Sequence, residues 1–147
     1  MRGTYTLLLA CKKPFKIRMG KLGLIKVERG NYLYTGSALG TGSVSLEQRV
    51  ARHRRRNKRM KWHVDYLTVP REVVVVNVIC TESSKRLECQ INRQLLHKLN
   101  AKPIARRAGA SDCQCSGHLL SVRLLDSKVI MRRVRQIYAM YGKPFFL

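Results

Sequence analysis

Two tyrosines, an arginine and a glutamate occur in an order that suits chemistry on a phosphate ester. They are Tyr5, Tyr34, Arg49 and Glu88. A phosphoryl transition state places negative charge on nonbridging oxygens, so an arginine fork and a hard cation held by a carboxylate are expected near it. A tyrosine has an ordinary pKa near ~10, so nearby cations must stabilise its phenolate before it can act as a base at neutral pH.

A second group of residues, nearer the C-terminus, offers soft metal ligands. Cys113, Cys115 and His118 lie close together, with Asp112 beside them. Zinc takes four ligands, but a Cys-x-Cys spacing lacks the two intervening residues of common zinc motifs, and a fourth ligand would have to come from Asp112 or a second chain. We therefore favour a turn in which Ser111 and Asp112 cap backbone amides and the thiols pack inward, with zinc as the alternative.

The charge of the chain is strongly one-sided. Lys and Arg number 30 against 8 Asp and Glu, a formal net charge of +22 in 147 residues. The phosphate backbone of nucleic acid is the obvious counterpart to such charge. A thermophile surface would carry both signs, and no basic segment has the bulky apolar face of a membrane-surface helix. We expect a nucleic-acid partner and no membrane, and favour DNA over RNA because aromatic patches for stacking RNA bases are not evident.

Basic residues concentrate around one predicted helix. Arg49 begins a series at helical offsets of three, four and seven, which would lie on one cationic stripe. The series is Arg49, Arg52, His53 and Arg56. A solvated basic face without a specific ligand is the alternative. Phosphate contacts are expected from Arg52, Arg54, Arg55, Arg56, Lys58, Arg59 and Lys61.

The elements that would position these residues start with short strands. Residues 4–9 read as a first strand, 15–27 as a hairpin that turns at 20–23, and 31–35 as another strand. A capping-box spacing from Ser45 to Gln48 predicts a helix over 46–56. The aromatic segment 62–67 is expected to pack on a short helical turn.

The remainder alternates between helix and strand patterns. Residues 73–79 are predicted to form the central strand, and Ser83 or Ser84 to cap a helix that ends near 99. A loop over 103–111, a strand over 118–124 and a final helix capped by Asp126 follow. This order predicts an α/β (α+β) fold with a small, mostly antiparallel sheet flanked by helices and an extra N-terminal β-hairpin. We expect one domain over 1–147, with a core over roughly 1–100 and a strand-helix extension over 101–147.

Apolar runs and cysteines indicate the compartment. The longest strongly apolar run, 73–76, is far below the ~20 residues that a membrane span requires, and no secretion signal is visible. Five cysteines, an odd number, are expected to remain reduced, which favours a cytoplasmic location. Cys11, Cys80 and Cys89 are expected to be small core side chains.

Two triplets carry a more specific pattern. The first predicted strand contains Gly3, Thr4 and Tyr5, and a later strand ends in Tyr34, Thr35 and Gly36. Followed by a helix arginine and a later helix glutamate, they resemble the GIY-YIG nuclease superfamily, and the runs 34–40, 62–67 and 111–113 resemble one of its mostly archaeal branches. Threonine replaces isoleucine in both triplets, and the hairpin separates the tyrosines by more than the family's usual short turn.

The resemblance implies a nuclease that hydrolyses a phosphodiester with one divalent ion, Mg²⁺ or Mn²⁺. Carried over by position, Tyr5 activates water, Arg49 steadies phosphate charge and Glu88 holds the metal. Glu47 and Glu82 are the alternatives for the metal ligand.

Three further residues follow from the same resemblance. Tyr34 matches the tyrosine that orders the pocket, Gly36 permits the close turn below it, and His53 occupies a helix position often taken by His or Tyr.

Two competing interpretations remain: a noncatalytic DNA- or RNA-binding module on the same fold, and a zinc-stabilised interaction protein.

Overall fold

Strands and helices alternate irregularly along the chain, whose computed structural model describes residues 1–110 and 113–147. Ser111 and Asp112, which were expected to cap backbone amides, lie outside the described residues. The strands are β1 (Gly3–Cys11), β2 (Phe15–Arg18), β3 (Leu24–Val27), β4 (Gly30–Ala38), β5 (Val73–Glu82), β6 (Lys102–Pro103), β7 (Leu119–Ser121) and β8 (Pro144–Phe146). The α-helices are α1 (Leu46–Arg54), α2 (Asp65–Thr68), α3 (Glu88–Lys98) and α4 (Ser127–Ala139).

Six strands form one antiparallel sheet in the order β6-β7-β4-β1-β5-β8, while β2 and β3 pair separately as the predicted extra hairpin. This confirms the α+β fold class. The prediction that 73–79 form the central strand is wrong, because β1 pairs along its whole length with both β4 and β5. β8 pairs with only three residues of β5, so the first half of β5 lies at an edge, where Val74 and Val76 are 39% and 43% exposed.

The two faces of the sheet carry separate apolar cores. Alternate residues of a strand point to opposite faces, so Tyr5 and Leu7 pack with α1, α2 and the hairpin, whereas Leu8 packs with α3 and α4. Apolar residues spaced by four along α3 and its flanks are all buried: Leu87, Ile91, Leu95 and Leu99. Helices thus cover both faces of the strand that carries Tyr5.

Two predicted helix starts are confirmed and a third is wrong. The Gln48 amide donates to Ser45 Oγ at 3.4 Å, and the Lys128 amide donates to Asp126 Oδ1 at 2.7 Å, so Ser45 caps α1 and Asp126 caps α4. α3 begins at Glu88 rather than after Ser83 or Ser84. The Ser83 hydroxyl instead accepts from the Lys85 amide at 3.0 Å, which closes a local turn.

Residues 101–147 complete the sheet. β7 pairs with β4, and β8 pairs with β5 at the opposite edge. Over the middle of the sheet, the Tyr138 hydroxyl of α4 lies 2.6 Å from Thr6 Oγ1 of β1. The predicted strand over 118–124 is shorter than expected, and β8 was not predicted. No helix in the described ranges has the length and apolarity needed to span a membrane.

Candidate functional site

A cavity of about 410 Å³ opens between β4, α1, the start of α3 and the segment that precedes β7. Tyr34, Arg49 and Glu88, three of the residues singled out in the sequence, line it. Lys61 and Arg86 line it as well, so basic side chains outnumber the single carboxylate that faces it among the described residues. A cavity of this charge suits an anionic ligand.

Tyr5 does not face the cavity directly. It is 1% exposed, and its hydroxyl lies 2.8 Å from His53 Nε2. The ring centroids of Tyr34 and His53 are 5.7 Å apart, and those of Tyr34 and Tyr5 are 6.4 Å apart. The three rings therefore form one aromatic layer, with Tyr34 on the cavity side and Tyr5 behind it.

Gly36 lies inside strand β4, so the expected turn at this position is wrong. A Cβ atom there would lie 2.7 Å from Tyr5 Oη and 2.8 Å from Tyr5 Cζ. Glycine is needed because the Tyr5 ring crosses directly over the strand. Gly36 of the second triplet thus leaves the space that the Tyr5 ring of the first triplet occupies.

Burial controls the protonation of the Tyr5–His53 pair. Burial, aided by neighbouring Tyr34, raises the pKa of Tyr5 well above its ordinary value, although Arg49 acts to lower it. Burial, and then the charge of Lys58, lowers the pKa of His53 to about 3. Arg49 acts in the direction expected for stabilising a Tyr5 phenolate, but desolvation outweighs this cation. Both groups are neutral at neutral pH.

Trp62 contacts three cations, of which Arg49 and Lys61 line the cavity. The guanidinium carbons of Arg49 and Arg52 lie 5.1 and 4.4 Å from its ring centroid, and the Lys61 ammonium lies 5.0 Å from it. Such contacts favour a fixed position for a cation over an aromatic face. Trp62 packs against the core, as expected, and also lines the cavity.

Glu88 is the glutamate of the three considered that faces the cavity. The Ser37 hydroxyl of β4 donates to Glu88 Oε2, and Arg86 lies 4.0 Å from Oε1. Glu47 instead pairs with the terminal amine at 3.1 Å, and Glu82 is exposed at the end of β5. Sequence reasoning missed Ser37, because its partner depends on where α3 begins.

A buried carboxylate, Asp65, joins α1 to the segment that follows it. Arg52 donates to both oxygens of the buried Asp65, at 2.9 Å each. The amides of Lys61 and Trp62 donate to Asp65 Oδ2 at 2.8 and 2.9 Å. Burial alone would raise the pKa of Asp65, but these hydrogen bonds lower it. Arg52 is therefore tied to a buried carboxylate.

The predicted cationic stripe is not continuous. α1 ends at Arg54, His53 is buried, and Arg56 lies beyond the helix, where it donates to carbonyl oxygens that include Val73 O at 2.8 Å. Lys58 Nζ donates to the carbonyls of Arg52 and His53, at 3.0 and 3.1 Å. Helix ends leave carbonyls without partners, and Lys58 satisfies two of them at the end of α1.

Other members of the basic set reach the surface. Arg54 donates to the Leu147 carbonyl at 2.8 Å. Arg55, Arg59 and Lys61 are exposed. The surface that these residues offer to a phosphate is smaller than the basic run in the sequence suggested.

A cysteine-histidine cluster lies at the rim of the same cavity. Cys89, Cys113, Cys115 and His118 place one ligand atom each within 4.8 Å of one another, and the cluster could bind a metal ion. The prediction that Cys89 is a core side chain is wrong, since it is half-buried in the first turn of α3 and joins the cluster. Sequence reasoning counted three soft ligands because the fourth is distant along the chain.

Comparison with known proteins gave a family match over most of the chain. The family model described as "Domain of unknown function DUF123" matches residues 4–140. No curated protein and no solved structure matches the chain.

Proposed function

The chain belongs to the family described as domain of unknown function DUF123, and we propose that it is a divalent-metal-dependent endonuclease that hydrolyses DNA phosphodiester bonds. The observation that carries the proposal is the convergence of Tyr34, Arg49 and Glu88 on one cavity, with the Tyr5–His53 pair behind it. The resemblance of the two triplets to the GIY-YIG nucleases supports the same activity. The net charge of +22 supports a polyanionic substrate.

Arg49 is proposed to bind the scissile phosphate. Its guanidinium is held at the cavity wall by the Trp62 ring, 5.1 Å from the ring centroid. Charge-assisted hydrogen bonds to a phosphate strengthen as negative charge builds up on its nonbridging oxygens. Lys61 lies on the same wall and adds to the attraction.

Glu88 is proposed to hold the divalent ion, Mg²⁺ or Mn²⁺. Such hard cations bind through one or two carboxylates together with waters and substrate phosphates, which suits a lone carboxylate facing a cavity. The ion would supply Lewis-acid stabilisation and a more acidic bound water. Ser37 orients the Glu88 carboxylate by its hydrogen bond.

The two tyrosines are assigned different roles because Tyr34 faces the cavity and Tyr5 is buried behind it. Tyr34 faces the cavity, so we assign the contact with substrate or water to its phenol. Tyr5 is buried and protonated, and its hydrogen bond to His53 supports the ring of Tyr34 and the backbone at Gly36. Tyr5 and His53 are therefore proposed as positioning residues, a revision of the role in water activation that the resemblance implied.

Nicking of supercoiled plasmid and of branched DNA, with Mg²⁺ or Mn²⁺, tests the proposal. Arg49→Ala and Glu88→Gln should lose metal-dependent nicking, while Glu47→Gln, a glutamate paired away from the cavity, should retain it. Equal nicking by Glu88→Gln and wild type would overturn the assignment. The same assays with single-stranded and duplex RNA test the preference for DNA.

A noncatalytic DNA-binding module is the second candidate. It is favoured by the burial of Tyr5, which leaves no phenolate at neutral pH. This candidate predicts salt-dependent DNA binding without nicking under any divalent ion.

A further inference from the structure

We propose that Cys89, Cys113, Cys115 and His118 form a closed zinc site that anchors the first turn of α3 to β4 and to the segment before β7. His118 Nε2 lies 3.4 Å from Cys113 Sγ and 3.7 Å from Cys89 Sγ. In a tetrahedral site with Zn–S near ~2.3 Å and Zn–N near ~2.0 Å, sulfur and nitrogen ligands are about 3.5 Å apart. These two distances therefore match a zinc site, and all four ligand atoms lie within 4.8 Å of one another.

The orientation of His118 is the second observation. Its Nδ1 lies 3.1 Å from the Thr35 carbonyl oxygen, and the side chain is buried. A carbonyl only accepts hydrogen bonds, so Nδ1 carries the proton and donates it, which leaves the lone pair of Nε2 directed at the thiols. Metal-binding histidines are fixed in this way by a partner on the other ring nitrogen.

The ligand set selects the ion and its role. Three thiolates and one imidazole favour zinc over the oxygen-preferring Mg²⁺ and Mn²⁺. Four protein ligands leave no open position for substrate, so the site is structural. Binding releases three thiol protons to solvent and leaves one net negative charge on the zinc and its ligands. Arg107 lies beside it and donates to the Cys115 carbonyl at 2.8 Å.

The site would join the first turn of α3 to the segment 113–118, between which the structure describes few other bonds. α3 begins without a side-chain cap, and Cys89 is its second residue. A single further bond, from Asn92 Nδ2 to the Gly117 carbonyl at 2.7 Å, is described between α3 and the segment 113–118. Glu88 directly precedes Cys89, so zinc would also hold Glu88 at the cavity. This last consequence, and no other part of the inference, rests on the proposed function.

Metal content of the purified full-length chain tests the site. We expect one zinc per chain, and replacement by Co²⁺ should give the visible bands of a tetrahedral ion together with thiolate charge transfer. Cys89→Ser should lose both. Cys11→Ser, at a buried thiol outside the cluster whose bond to the Lys13 carbonyl a serine hydroxyl can keep, should retain both. If Cys89→Ser does not fold, Co²⁺ titration of chelator-treated wild type provides the same readout.

A folded wild-type chain that contains no zinc and gives no Co²⁺ spectrum would overturn the site, as would a Cys89→Ser protein with full zinc content. Hydrogen exchange tests the anchoring. Removal of zinc should lower protection in α3 and 113–118 more than in α1, and uniform exchange changes would contradict it. A protein that binds zinc but never nicks DNA would refute the nuclease proposal and leave the zinc site standing.

Discussion

The contact between Gly36 and the Tyr5 ring is steric and can be tested by adding one methyl group. In Gly36→Ala the new Cβ would lie 2.7 Å from Tyr5 Oη, inside a paired strand that has little room to move. Overpacking of this kind costs about 1–3 kcal/mol of unfolding free energy. Urea denaturation should show this loss. In a Tyr5→Leu background the clashing Oη and Cζ atoms are gone, so the alanine should cost less; an equal cost in both backgrounds would contradict the steric account.

His53 should make the stability of the protein fall in mild acid. Its pKa is about 3 in the folded chain, and an unfolded histidine titrates near ~6.5. The contribution of neutral His53 to the unfolding free energy is therefore fully present above about pH 6.5. It decreases as pH falls toward 3, by up to about 1.4 kcal/mol per pH unit. The facing charges are Lys58, Arg52 and Arg49, which oppose protonation, and Asp65, which favours it.

Urea denaturation between pH 7.5 and 5, compared between wild type and His53→Gln, isolates this effect. The two proteins differ in no other ionisable residue, and Asp65 has its lowered pKa below this range. The wild-type curve should fall more steeply with acid than the variant curve. Parallel curves would show that His53 is not the group responsible.

A site residue could be predicted from the sequence where its side chain has a distinctive chemistry. Tyr34, Arg49 and Glu88 suit phosphate chemistry, and the structure brings them to one cavity. Ser37 and Cys89 gave no such signal, because a serine in a strand and a cysteine among apolar residues have many uses. Their placement depends on long-range contacts that no local pattern encodes.

At the scale of elements, Lys58 acts as a cap for α1 rather than as a surface cation. Its side chain is 4% exposed, and its ammonium donates to two carbonyls at the end of α1 and to Thr68 Oγ1 at 2.7 Å. Burial lowers its pKa to about 8, consistent with a shielded charge. Lys58→Met should lower stability by about 2–4 kcal/mol, because several buried polar groups lose their partner.

The matched control is Arg59→Met, which removes an exposed cation from the same segment and should change stability by less than about 0.5 kcal/mol. Thermal and urea denaturation measure both variants. If DNA binds this face, Arg59→Met should also reduce the slope of log affinity against log salt, whereas Lys58→Met should leave that slope unchanged. A reduced slope for a stable Lys58→Met protein would restore Lys58 as a phosphate contact.

Helix and strand positions followed from the sequence where the signal was local. The caps at Ser45 and Asp126 and the hairpin β2–β3 depend on neighbouring residues, and all three were found. The central strand was misassigned, because an apolar run does not reveal which strands lie beside it. The start of α3 was misplaced because Ser83 closes a turn instead of capping a helix.

At the scale of the whole molecule, both candidate sites are assembled from the sheet outward. β4 contributes Tyr34 to the cavity wall and the Thr35 carbonyl to His118, from neighbouring positions of the same strand. α3 contributes Glu88 to one site and Cys89 to the other. Neighbouring residues of one strand and of one helix turn thus place the cavity beside the cysteine-histidine cluster, an arrangement that sequence spacing alone did not reveal.

The overall charge predicts that Glu88→Gln will separate binding from cleavage. The chain carries a net charge of +22, and Glu88 is the carboxylate among the described lining residues of a basic cavity. Without a divalent ion, this carboxylate repels phosphate, so its removal should leave DNA affinity unchanged or raise it by a few-fold. Fluorescence anisotropy with labelled duplex in EDTA, over a salt series, measures this.

Both proteins should show the same steep salt dependence, because the phosphate contacts made by cations are unaltered. Nicking with Mg²⁺ should nevertheless be lost in Glu88→Gln, since the amide is a weaker ligand for a hard cation. Weaker binding by a stably folded Glu88→Gln protein in EDTA would mean that the carboxylate organises the DNA-binding surface itself. In that case Glu88 would be a structural partner of Ser37 and not the ligand of a catalytic ion.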